Sequence, residues 1–279
     1  QYEGYFFGSS NVTPNAPDQS GANEMSTETR QLLAQLEKID LQLVSVSSPS
    51  AGQLLNEQRT AVLVQLISKS SSAEEKSNWI RQFADTVSAA VQSGTYPQGI
   101  AQLQSLDSQV AQAGGADHAY VQFRLMTARY GDSLRKSPEK FDAVQEKWLG
   151  DLDAFVKKFP ASGDAPEAIF QLAIAEEFAG SYDRAISYYD DIVSKYPKAP
   201  IAPKAEGAQR RLNLKGKPLA LVSKSLSGQQ VDTRRFNGRI VVIHYWASWS
   251  APSTQDMVLL KRLTSKHGDK IAVVGVNLD

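Results

Sequence analysis

Cysteine is absent from all 279 residues of the chain. That absence excludes a disulfide framework and a cysteine-zinc site, and it removes thiol chemistry from the chain as written. Histidine is scarce too. Of the three, His118 and His267 stand in polar helical surroundings and none forms a ligand spacing, so no metal and no cofactor is expected. Charge of one sign is also missing: 30 basic residues face 30 acidic ones, which argues against nucleic acid or a polybasic membrane contact as partner. No apolar run approaches the length of a bilayer span, so no transmembrane segment is expected. The first residues, Gln1-Tyr-Glu-Gly, lack the basic start and apolar core of a signal peptide.

What is present suffices for two or more domains with cores of their own. Residues 1–25 combine Gly, Ser, Asn, Pro and Asp, as in Ser9-Ser-Asn-Val-Thr-Pro14, and are expected to form a disordered leader. Its aromatic cluster, Tyr2, Tyr5, Phe6 and Phe7, could dock elsewhere, although a mobile end is the simpler reading. Asn11-Val-Thr13 fits a glycosylation pattern that is common by chance. Residues 26–115 are expected to form helical hairpins. Leu32, Leu36, Ile39 and Leu43 recur at helical spacing, as do Leu55, Val62 and Leu66 after the Ser47-Ser-Pro-Ser50 break. A short coiled coil is the rival reading, but the seam is too brief for sustained heptads. Trp79, Phe83, Val87 and Val91 share a face, and Pro97 is placed as a first-turn proline ahead of Ile100, Leu103, Leu106 and Val110.

Residues 116–214 continue the helical pattern, with Tyr120, Phe123, Tyr130 and Leu134 in one stripe. Phe155-Val-Lys-Lys-Phe-Pro160 realigns with Ile192-Val-Ser-Lys-Tyr-Pro197 at an offset of 37. Ala165-Pro-Glu-Ala168 realigns with Ala202-Pro-Lys-Ala205 at the same offset. Between them, small and large residues alternate as in closely packed helix pairs. The pattern resembles the tetratricopeptide family, whose period is about 34. Such units bury their apolar faces only by stacking, so the helices before residue 150 would supply degenerate repeats. The resemblance implies a concave surface for peptide or protein docking, or a spacer.

Residues 215–279 hold the one stretch in which residue types and spacing suggest chemistry. Ile240–Ile243 has the pattern of a buried strand, and Pro252 to Lys266 that of the helix after it. The junction is therefore a helix N-terminus, where first-turn N–H groups and the helix dipole stabilise an anion such as a thiolate. The junction reads Tyr245-Trp246-Ala247-Ser248-Trp249-Ser250-Ala251-Pro252-Ser253. It resembles the thioredoxin-like family, in its TlpA/ResA type of thiol-disulfide oxidoreductase, where a strand ends in aromatic-Trp-Ala-Ser/Thr-Trp-Cys-x-Pro-Cys. Gly216-Lys-Pro-Leu, the Gly turn in Leu226-Ser-Gly-Gln-Gln-Val231, Phe236-Asn-Gly-Arg-Ile-Val-Val and Ile271–Asp279 resemble further parts of that family's opening half. Asp256 stands where the family usually has Glu.

The resemblance implies a mostly α repeat region followed by a partial α/β domain, with strand, helix and strand joined by a parallel crossover. It implies an exported, extracytoplasmic protein acting on clients that carry disulfides or thiols. The position of Ser250 would be the attacking thiol and that of Ser253 the resolving thiol, with Trp249, Ala251, Pro252 and Trp246 shaping the turn. Both cysteines of the pair are serine here, so exchange is impossible for the chain as written. Serine is the near-isosteric replacement for cysteine, and the intact frame favours engineering over natural loss. A hydrolytic Ser250 activated by His244 is a weaker reading, since a lone strand histidine usually packs or makes a hydrogen bond. A non-catalytic scaffold, with a redox-dead docking module, is the alternative function. The chain stops after the second core strand, so the last sixty or so residues are expected to pack poorly or to be completed by a partner.

Overall fold

The computed structural model describes residues 26–225, 227–268 and 270–279. The expectations for the leader, and for Leu226 in the hairpin, fall outside those residues. Among the described residues, nine α-helices fill the first part: α1 Thr27–Ser45, α2 Pro49–Lys69, α3 Ala73–Gln92, α4 Gly99–Ala113, α5 Ala116–Lys136, α6 Phe141–Lys158, α7 Ala165–Phe178, α8 Tyr182–Lys195 and α9 Ala202–Leu212. None of the described helices is long and apolar enough to cross a membrane.

Local chemistry starts several of these helices. The Ser26 hydroxyl accepts the Thr29 N–H at 3.0 Å and caps α1. At α3 the Ser72 hydroxyl accepts the Glu75 N–H, while Glu75 takes back the Ser71 N–H at 2.8 Å, so donors on both sides of the helix start are satisfied. The start of α4 departs from expectation. Pro97 lies in the turn before the helix rather than in its first turn, and Gly99 opens α4. The cause is a close approach: a Cβ at Gly99 would stand 2.7 Å from both Val87 Cγ1 and Val91 Cγ2 of α3. Buried Tyr96, whose N–H bonds to the Ala90 carbonyl, occupies the turn.

Among the described residues, three apolar cores run through the helices. The first joins Leu32, Leu36 and Ile39 of α1 to Val62, Leu63 and Leu66 of α2, Phe83, Val87 and Val91 of α3, Leu103 of α4 and Val121 of α5. The second gathers Phe123 of α5, Trp148, Leu152 and Phe155 of α6, and Leu172 of α7. The third holds Ile169, Tyr189, Ile192 and Ala205 from α7, α8 and α9. Each fully buried aliphatic side chain contributes on the order of 2 kcal/mol. Helix α5 belongs to two cores, with Val121, Leu125 and Ala128 turned one way and Ala119 and Phe123 the other.

Arg124, on that same helix, ties the first two cores together. Its Nε donates to Asp85 of α3 at 2.6 Å and its Nη1 to Asp164, the N-cap residue of α7, at 2.8 Å. The guanidinium lies 4.1 Å from the centre of the Tyr120 ring. One planar fork thus joins three helices.

The offset of 37 seen in the sequence returns in the backbone. Phe159 (φ −129°, ψ 56°) ends α6 and Tyr196 (φ −130°, ψ 51°) ends α8 in the same conformation. The turn hydrogen bonds repeat as well: Ser162 N–H to Phe159 and Ala165 N–H to Ser162 match Ala199 N–H to Tyr196 and Ala202 N–H to Ala199. The Tyr196 hydroxyl then donates to the Pro160 carbonyl at 2.6 Å, linking one turn to its counterpart.

The C-terminal part adds two small sheets among its described residues. β1 Val222–Lys224 and β2 Gln230–Asp232 pair antiparallel around a turn in which Gly228 takes φ 80°. β3 Ile240–Trp246 and β4 Ile271–Asn277 pair in parallel, with Ile243 opposite Val274, and α10 Ala251–His267 connects them. Strand, helix and parallel strand follow in the expected order, but the run Ile240–Ile243 is not the buried strand its pattern suggested: Ile240 is exposed and the other three are only half-buried, because no further layer covers this sheet among the described residues. Their packing is thin: α10 has no buried residue, and Ile240, Tyr245, Val258, Leu259 and Leu263 remain exposed.

Candidate functional site

The Ser250 and Ser253 positions meet at the corner where β3 turns into α10. β3 forms where β-branched residues favour extended backbone, and it ends at Trp246. Ala247 is buried beneath the corner, and the Ser250 N–H bonds to its carbonyl at 3.1 Å, closing a tight turn over Ser248 and Trp249. Ser250 is the N-cap residue of α10, with φ −99° and ψ 94°, and its hydroxyl makes no capping hydrogen bond. Ala251 and Pro252 open the helix, where the missing proline N–H is no loss.

Ser253 points back under the turn. Its hydroxyl lies 2.9 Å from the Ser250 carbonyl and 3.3 Å from both the N–H and the carbonyl of Ala247. The two serines therefore differ: one stands at the mouth of the helix, the other braces the corner from inside. Trp249 is 78% exposed between the strand and Ser250. Trp246 lies over the sheet, its ring edge 3.4 Å from where a Cβ at Gly275 would sit. Asp256 is exposed one turn into α10 and away from these contacts.

His244 does not reach the Ser250 hydroxyl. Its Nε2 lies 2.9 Å from the Ser253 carbonyl oxygen, so the ring is committed to a backbone acceptor and a Ser–His nucleophile pair finds no support. Two residues that motif spacing did not single out, Asn277 and Asp279, also belong here, joined to Ser248 of the motif. Ser248 donates its N–H and its hydroxyl to Asp279, at 2.8 and 3.0 Å, and Asp279 is braced by Asn277. Hydrogen bonds from the Asn277 side chain and the Ser248 N–H hold the Asp279 carboxyl below the usual carboxylate range. The signal available in the sequence was an Asn-x-Asp pair at the end of an apolar strand, a pattern that favours local side-chain hydrogen bonds.

Among the described residues no group of three or more His, Asp or Glu is placed to hold a metal ion. An open groove lies on one face of α10, lined by Val258, Lys261, Arg262, Ser265 and Lys266, none of them a residue of the corner. What the corner offers chemically is a helix N-terminus with a side chain in the N-cap seat and a second seat one turn in. A hydroxyl there stays neutral near pH 7, whereas a thiol in the same place would be favoured as its anion.

No protein-family profile matches the chain, and no solved structure matches it. A 54-residue segment is 37% identical to the thioredoxin-like protein YneN of Bacillus subtilis (strain 168), covering 19% of this chain. The matched segment spans about a third of that relative's length (32%). The match supports a thioredoxin-like segment within a chain that is otherwise mainly helical.

Proposed function

We propose that residues 215–279 are a thioredoxin-like module of the TlpA/ResA thiol-disulfide oxidoreductase type, and that the helical hairpins of residues 26–115, as degenerate repeats, and the tetratricopeptide-like repeats of residues 116–214 hold or position its protein clients. The observation that carries this reading is the corner itself: two serines three residues apart, one in the N-cap seat and one inside the first turn of α10, after a parallel strand and within a Trp-x-x-Pro frame. With sulfur in both seats, the thiolate at 250 would attack one sulfur of a client disulfide, and the other client sulfur would leave as a thiolate. The thiolate at 253 would then attack the sulfur at 250 and release the second client thiol. Two electrons pass to the client and an internal disulfide remains.

The chain as written lacks both sulfurs and is inactive on this reading. The absence of stray cysteine suits an exported, extracytoplasmic setting, where unpaired thiols would mispair. The test is the double substitution Ser250→Cys and Ser253→Cys, assayed for reduction of insulin by dithiothreitol. Catalysed reduction by the double variant, with none by either single variant, supports the oxidoreductase. The second reading, a non-catalytic interaction scaffold, draws on the complete lack of cysteine. A double variant that forms its disulfide yet turns over no substrate favours the scaffold.

A further inference from the structure

The turn between β3 and α10 is braced from two sides. From within, the Ser253 hydroxyl meets Ala247 and the Ser250 carbonyl. From the far strand, Asp279 reaches back to Ser248: Oδ1 accepts the Ser248 N–H at 2.8 Å and its hydroxyl at 3.0 Å. Oδ2 accepts Asn277 Nδ2 at 2.8 Å, and the Asp279 N–H donates to Asn277 Oδ1 at the same distance. The Leu278 N–H donates to the Trp246 carbonyl at 2.9 Å, carrying the strand pairing up to the clamp. The carboxylate is thereby fixed at both oxygens.

We propose that Asp279 is a positioning residue for position 250, clamping Ser248 so that the turn presents the N-cap seat in one geometry and setting a fixed negative charge on the turn two residues before it. The second half of this assignment rests on the reading of 250 as a thiol seat; the clamp does not. The physical case is one of substitution. A thiol at 253 is a weaker donor and acceptor than the hydroxyl now there, so the inner brace loosens when sulfur is installed and the outer one carries more of the turn. The helix N-terminus favours a thiolate at 250, while the Asp279 charge opposes it. The balance moves the thiol toward an acidity closer to ambient pH, where an attacking thiol is most effective.

Two measurements test the two halves. In the chain with its serines, amide exchange of Ser248 is compared with that of Asp279→Ala. A rise of about tenfold or more at Ser248, with the β3–β4 ladder amides unchanged, is expected for the loss of a charge-assisted bond. An unchanged Ser248 rate overturns the clamp. In a Ser250→Cys chain, the rate of alkylation by iodoacetamide is followed against pH with and without Asp279→Asn, which keeps an acceptor oxygen and removes the charge. The midpoint is expected to fall by on the order of 0.3 of a pH unit. A midpoint that does not move overturns the charge role. If the thiol–disulfide reading itself is wrong, the double-cysteine chain reduces no disulfide, while the amide exchange of Ser248 still decides the clamp.

Discussion

His244 Nε2 and the carbonyl oxygen of Ser253 lie 2.9 Å apart and tie the middle of β3 to the first turn of α10. A carbonyl only accepts, so this ring nitrogen carries the proton. His244→Ala removes the donor and is expected to lower the stability of the strand-helix-strand unit by about 1 kcal/mol. Amide exchange at Thr254, whose N–H bonds to the Ser250 carbonyl in the same turn, reports it. Faster exchange there in His244→Ala, and a rate restored toward the original by His244→Gln, is the expected pair of results.

The glycine that opens α4 is a packing requirement. At Gly99 an added methyl meets the γ-methyls of Val87 and Val91 at 2.7 Å, and short β-branched side chains cannot swing away as a lysine would. Gly99→Ala is expected to cost about 1–3 kcal/mol through overpacking, despite alanine's better helix propensity. A lower urea midpoint with unchanged slope checks it. A gain in stability would mean that α4 sits further from α3.

Where apolar residues repeat along one helix, the fold was legible in advance. Phe83, Val87 and Val91 became core, and so did Leu32, Leu36 and Ile39. The repeat at an offset of 37 also carried through, because a proline after an aromatic imposes the same backbone on both turns. The strand-helix-strand corner was legible for a similar reason, a β-branched run meeting a proline-marked helix start. What escaped the sequence was long-range and polar. Nothing in the sequence around Arg124 names Asp85 or Asp164 as its partners. Ser248 and Asp279 meet across 31 positions, through strand pairing that periodicity alone cannot register. Pro97 was misplaced because a close helix contact, invisible in one segment, moved the start of α4 to Gly99.

Arg124 is expected to be the most sensitive polar residue of the helical part. Its side chain and that of Asp164 are 23% and 15% exposed, so truncation leaves a carboxylate largely out of water with no partner. Arg124→Ala is expected to cost roughly 3 kcal/mol. Arg124→Lys should recover little, because a single ammonium cannot span Asp85 and Asp164 as the planar fork does. Urea unfolding followed by the helical circular dichroism signal measures both. Equal stability of Arg124→Lys and the parent chain would show that the fork is dispensable.

Alkaline pH should expose two tyrosines, half-buried Tyr120 and buried Tyr189. Tyr120 is pushed up to about 12, first by burial and then by the hydrogen bond to Asp85. Tyr189 is pushed up to about 12 by burial and by the Glu177 carboxylate, to which its hydroxyl donates at 3.2 Å. In the unfolded chain both would ionise near pH 10. A folded value above the unfolded one means that the associated stability is fully present below pH 10 and is lost as pH rises from there through 12. Tyrosinate absorbance should therefore show a late component near pH 12, collapsing to about 10 in urea. Tyr120→Phe and Tyr189→Phe together should remove it and flatten the fall of stability across that window, while costing about 1 kcal/mol each at neutral pH for the lost hydrogen bonds. A single titration near pH 10 for every tyrosine of the folded chain would show that these hydroxyls are open to water, and with it that α5 and α8 do not pack as described.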